Sequence, residues 1–169
     1  ALSSFYLIVT VVLKTVAVLH FKEALDNQHM SYSAIDVRPS PLNTILWNAN
    51  VNTKDAYLLA NYSFFDSQAI AFEVYPKNHD LLGDLKSNDK VQQMISITQG
   101  WYTVIEKNDG LYFNDLRFGL LDLEANSDKF VFQYKIEKNN NNVTFIETDK
   151  NPRDAKNLLN DLWYRILGN

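Results

Sequence analysis

Between Leu2 and Phe21 the chain carries a single permanently charged side chain, Lys14, among residues that are otherwise almost all apolar. About 20 such residues are what a helix needs to cross a bilayer. On a helical wheel Ser3, Thr10 and Lys14 share one edge, and Ser4, Thr15 and Lys22 share the next. Leu7, Val11 and Val18 interrupt that arc, so residues 1–25 predict a helix that is apolar nearly all round. Such a helix belongs in lipid or inside protein. The run opens on Ala1 in mid-pattern and is read as the end of a membrane span of a longer protein. A core helix covering a sheet, or pairing with a second copy, is the other reading. A secretory signal is disfavoured, because no basic stretch precedes the run and no small-residue cleavage site follows it.

Beyond the polar stretch 26–33, Arg38-Pro39-Ser40-Pro41 predicts an extended connection that is not helical. The period then changes to two. Ile45, Trp47, Ala49 and Val51 fall on one strand face, with Asn48 and Asn50 on the other. Asn52 to Asp55 is turn material, and Ala56 to Phe64 is the return strand. A third strand is expected over Ala69 to Tyr75, with Ile70, Phe72 and Val74 on one side and Pro76 as its stop. Residues 78–88 are loop-like, with a helical turn around Leu81, Leu82 and Leu85.

A middle helix is expected from a Ser87 or Asn88 cap to Gln99, with Val91, Met94, Ile95 and Thr98 inward and Gly100 in the left-handed position after it. Asn108-Asp109-Gly110 predicts a hairpin between 101–107 and 111–118. Phe130, Phe132, Tyr134 and Ile136 alternate with polar or smaller residues, as in a half-buried strand, and the asparagines at 139–142 turn the chain into Val143 to Thr148. Asn151, Pro152 and Asp154 make a helix start. Ala155, Leu158, Leu159, Leu162, Trp163, Ile166 and Leu167 form its apolar stripe, which is expected to bury Trp163 against the sheet. The sum is an α+β fold: a mainly antiparallel sheet of about six or seven strands, with an N-terminal apolar helix, a middle helix and a C-terminal amphipathic helix packed on it. In domain terms the apolar helix, 1–25, precedes a single soluble domain, 26–169.

Composition narrows the function classes. Apolar residues make up 46% and aromatics 13%, enough for a packed core. The net charge of −4 argues against a nucleic-acid footprint. No cysteine is present, which removes disulfides, thiol catalysis and thiolate metal sites. His20, His29 and His79 form no H-x-x-x-H pair and read as ordinary turn or surface residues. Neither a G-x-S-x-G elbow nor a phosphate-binding glycine loop occurs. Asp66, Asp84, Asp89 and Asp109 stand in turn contexts, where Asp serves the backbone. No catalytic residue, metal ligand set or cofactor site is therefore assigned to this chain.

Two segments stand out as candidate binding sites. Pro41 to Trp47 places Asn43 and Trp47 at the entry to a strand, and Gly110 to Gly119 sets Asn114, Asp115 and Arg117 among aromatics. Asp115 and Arg117 project to one strand face, where they either pair with each other or hold a polar ligand.

These segments, together with Gly100-Trp101-Tyr102-Thr103-Val104, resemble the carboxy-terminal soluble region of a bacterial LexA-binding, inner-membrane-associated family described as metal-dependent hydrolases. The likeness spans most of the chain, and the opening helix corresponds to the end of that family's last membrane span. The resemblance implies an inner-membrane hydrolase parent whose His and Asp ligands hold a divalent metal in a part preceding this chain. It implies membrane contact through that part and residues 1–25, a protein or substrate partner for the soluble region, and no catalytic residue here. An autonomous ligand-binding module with an aromatic-lined cleft on a curved sheet is the alternative from another class. A hydrolase acting within this domain alone is a third option, for which the sequence offers no constellation.

Overall fold

A computed structural model describes residues 2–41, 43–121, 126–139, 142–148 and 155–168, with side chains from 6 onward in the first helix and from 159 onward in the last. It contains helices α1 (Leu2–Asn27), α2 (Asp89–Ile97) and α3 (Ala155–Ile166), and a 3-10 segment, His79–Ser87. The strands are β1 (Ala34–Pro39), β2 (Leu46–Asn52), β3 (Ala56–Ser63), β4 (Glu73–Pro76), β5 (Tyr102–Lys107), β6 (Gly110–Leu120), β7 (Phe130–Asn139) and β8 (Asn142–Glu147). They form two four-stranded antiparallel sheets, ordered β1-β2-β3-β4 and β5-β6-β7-β8. The α+β class is as expected; the single sheet of six or seven strands is not. Alternation reports which face of a strand is apolar and is silent on which strand pairs with it.

The described chain falls into two compact units: one takes in the chain up to Val74 together with α3, and the other runs from Tyr75 through β8. In the first, Ala17, Phe21 and Leu25 are spaced one turn apart along α1 and pack against Val37, Trp47, Ala49, Val51, Leu58 and Ala60 of the sheet. In the second, α2 and the 3-10 segment bring Val91 and Leu82 onto Tyr102, Val104, Phe113 and Ile136.

Several local expectations are corrected. The stretch containing Arg38-Pro39 is strand β1, paired in register from Ala34↔Asn52 to Pro39↔Trp47. An edge strand tolerates a proline at its end. The third strand starts at Glu73 and not at Ala69, and its buried side chain is Tyr75 while Val74 is exposed. On β7 the buried positions are Phe130, Gln133 and Ile136, which alternate between the two faces, so the strand buries side chains on both. Asn88 caps α2, accepting a bond from Lys90 N at 3.0 Å. Gly100 takes the left-handed conformation expected after α2 (φ 79), and Gln99 just before it does so too (φ 54). Gly100 N bonds Ile95 O and Gln99 N bonds Ser96 O, the paired closure of a Schellman motif.

The largest correction concerns α3. Its proposed start, 151–154, lies outside the described residues, as do the side chains of Ala155 and Leu158. Of the stripe, Ile166 is buried and Leu162 half-buried, whereas Leu159 and Leu167 are exposed and Trp163 is 63% exposed. The stripe is wider than the contact it makes, and only its Leu162–Ile166 edge turns inward. Three ties hold that edge. Arg165 clasps Asp66 with Nη1–Oδ1 at 2.6 Å and Nη2–Oδ2 at 2.7 Å. Its Nη2 also donates to Asn61 O at 3.1 Å, and Ser63 Oγ donates to Ile166 O.

Candidate functional site

The five candidate binding residues fall into two groups, Asn43 and Trp47 in the first unit and Asn114, Asp115 and Arg117 in the second. Asn43 is a local clamp. Its Oδ1 accepts from Ile45 N at 3.0 Å and Leu46 N at 2.7 Å, and its Nδ2 donates to Pro41 O at 3.1 Å. A short amide side chain bonding the backbone two and three residues on is an Asx turn, and here it aims the chain into β2. Trp47 is 2% exposed, and its Nε1 donates to Thr44 O at 3.0 Å. The indole is a pillar of the first core, and its polar edge is already satisfied.

In the second unit Asn114 and Asp115 point to opposite faces of β6. Asn114 is fully buried and stands between two cross-strand neighbours, Thr103 on β5 and Gln133 on β7. Gln133 Nε2 donates to Asn114 Oδ1 at 2.8 Å and to Asp128 O at 3.2 Å. Thr103 Oγ1 donates to Pro76 O. The row is a buried polar ladder, and burying such groups is tolerable because Gln133 satisfies Asn114 and the Thr103 hydroxyl bonds backbone carbonyls.

Asp115 and Arg117 do share a face, and they pair: Arg117 Nη2 reaches Asp115 Oδ2 at 2.7 Å and Nε reaches Oδ1 at 3.1 Å. Arg117 N also donates to Asp115 Oδ1 at 2.9 Å, which ties the carboxylate to the start of the β6 bulge. The hydrogen bonds that Arg117 donates to Asp115 raise the guanidinium's pKa, against the opposing effect of burial. The geometry is that of a bidentate ion pair holding an irregular strand.

Sequence reasoning passed over three polar residues that the fold uses. Thr103 and Gln133 complete the ladder, and only the strand register could reveal them. His79 stacks on Tyr102 with ring centroids 3.9 Å apart and planes 10° apart, and Tyr102 stacks in turn on Phe113 at 4.6 Å. His79 Nε2 lies 2.8 Å from Tyr102 O and donates to it. Burial pushes the imidazole pKa down; Lys77 and Lys86 add to this, while the Tyr102 carbonyl and Asp80 pull the other way without overcoming it.

Asp66 likewise serves more than a turn. Burial would raise its carboxyl pKa, but the hydrogen bonds from Arg165 and Ser63 N, with the Arg165 charge, hold it below the ordinary value. Among the described residues no three His, Asp or Glu side chains lie together as a metal site would require. None of the described helices is long and apolar enough to cross a membrane. No protein-family model, curated protein or solved structure matches the chain.

Proposed function

We propose that the chain is an accessory domain of a metal-dependent hydrolase of the bacterial inner membrane, fastened to the bilayer by the first half of α1 and serving to position a partner or substrate. It does not catalyse on its own, and the divalent metal belongs to a preceding part of the parent. The observation that carries this reading is the division of α1. From Ala17 onward the helix is docked on the first sheet, yet Tyr6, Leu7, Ile8, Val11 and Val12 stand exposed over about two thirds of its circumference, while Val9 and Leu13 on the remaining side are half-buried. A groove in a protein covers one face of a helix, whereas lipid covers all of them. The hydrolase parent rests on the resemblance of the 41–47, 100–104 and 110–119 segments. An accessory role is further supported by the candidate binding residues, whose polar atoms are engaged in holding the fold.

Flotation with vesicles of phosphatidylethanolamine and phosphatidylglycerol tests the fastening. The chain is expected to rise with the vesicles, and a Val11→Asp/Val12→Asp variant to stay below. A chain that remains below with or without the substitutions overturns the reading. Stoichiometric zinc or manganese binding accompanied by hydrolytic turnover in the chain alone would overturn the non-catalytic part.

A further inference from the structure

Three features of the first unit lie at one end of its sheet. The β2–β3 ladder runs from Leu46↔Ser63 at one end to Asn52↔Tyr57 at the other. After α1 the chain reaches the Asn52 end, where Ser33 N and Oγ both donate to Asn52 O. Earlier in α1, His20 and Phe21 pack on Tyr62, with centroids 5.0 and 6.0 Å apart, next to the Ser63 end. The helix axis therefore runs from the Ser63 end toward the Asn52 end, and its exposed Tyr6, Leu7, Ile8, Val11 and Val12 project past the Ser63 end. The last turn of α3 is tied to that same end through Asn61, Ser63 and Asp66.

We infer that α3 is an interfacial helix: Leu159, Trp163, Tyr164 and Leu167 rest in the headgroup region of the bilayer that receives the first half of α1, so that the Ser63 end of the sheet faces the membrane. This rests on the fastening proposed above and extends it from an anchor to an orientation. Leu159, Trp163 and Leu167 repeat every four residues along one line of α3, with Tyr164 beside them, and all four are exposed. Trp and Tyr are the side chains that favour the water–hydrocarbon boundary, with an apolar body and one polar handle each. The two apolar surfaces leave the sheet at the same end, so one bilayer accommodates both.

Quenching of tryptophan by brominated lipids tests this, using the whole 169-residue chain and vesicles of phosphatidylethanolamine and phosphatidylglycerol. Lipids brominated near the headgroup should quench strongly, and those brominated near the chain end weakly. In a Trp101→Phe background that quenching should vanish in Trp163→Phe, because the remaining indole, Trp47, is buried in the core. Trp163→Ser/Tyr164→Ser, at exposed positions, should fold normally by circular dichroism and bind vesicles several-fold more weakly. If the chain binds through α1 but the Trp163 signal and affinity are unchanged by these substitutions, the orientation is wrong and the anchor stands. If the chain does not bind at all, both fall. A Trp163 emission shift that follows protein concentration without vesicles would mean that a second copy covers α3, and would also overturn the inference.

Discussion

The side chains that looked most like ligands by type are, at residue scale, those most fully engaged with their own backbone. Trp47 illustrates the consequence for mutation. It is 2% exposed among α1 and sheet residues. Trp47→Ala should therefore cost about 3–5 kcal/mol, a large share of the roughly 5–15 kcal/mol that holds a domain. Trp163→Ala, at a position 63% exposed, should leave the melting temperature close to that of the wild type. Thermal melts of the two variants side by side check both; equal losses would show that α3 is packed more tightly than its exposure indicates.

His79 gives the residue scale a pH signature. Its folded pKa lies below the ordinary value, chiefly through burial. The unfolded chain then binds the proton more readily. The stability this group contributes is whole above about pH 6.5 and is lost as the pH falls through the folded value. The melting temperature should decline as the pH is lowered from about 6.5 through the folded value. His79→Phe keeps a ring on Tyr102 but cannot take up a proton, so it should flatten that decline. An unchanged slope would mean that another group titrates.

At element scale, helices and hairpins were legible and sheet membership was not. The Asn88 cap, the inward Val91 and the Asn108-Asp109-Gly110 hairpin each depend on neighbours within a few residues, which is what periodicity reads. β1 escaped because its one buried side chain, Val37, sits between Asp36 and Arg38, and its pairing partner lies beyond a Pro-rich turn. The polar ladder escaped for a related reason: Thr103, Asn114 and Gln133 become neighbours only through register. On α3 the apolar stripe was visible, but which edge faced the sheet was decided by Arg165 and Asp66, 99 residues apart in sequence.

That clasp is testable as an element. Asp66→Asn removes the charge that Arg165 grips and should loosen α3 by about 1–3 kcal/mol. In the wild type the Asp66 carboxyl has a folded pKa below the ordinary one, so its contribution is whole above about pH 3.9 and is lost as the pH falls through the folded value. Gly168→Ala should loosen the same helix independently, since φ is +82° there and an added Cβ would lie 2.5 Å from Phe65 O. Amide exchange in α3 should accelerate in both variants while α2 stays protected. Equal exchange in wild type and variants would mean that the clasp does not hold the helix.

For the whole molecule, α1 is one helix with two surroundings, and the division predicts where truncation becomes harmful. The first fully buried side chain along it is Ala17, followed by Phe21 and Leu25, and Leu13 is the outermost residue packed against that core. Tyr6, Leu7, Ile8, Val11 and Val12 before it are exposed apolar residues, so removing the chain up to Leu13 should cost the fold little. A chain beginning at Leu13 should melt within a few degrees of the full chain and lose its affinity for vesicles. A chain beginning at Gln28 deletes Ala17, Phe21 and Leu25 together and uncovers Trp47, Ala49, Val51, Leu58 and Ala60. Burying a large aliphatic or aromatic side chain is worth about 1.5–3 kcal/mol, so losing Phe21 and Leu25 alone removes much of a domain's margin. That shorter chain should aggregate or show a molten first unit, detected as lost near-ultraviolet dichroism from Trp47. If the Leu13 chain fails to fold while the Gln28 chain folds, the bare half of α1 is the structural part and the docked half is not.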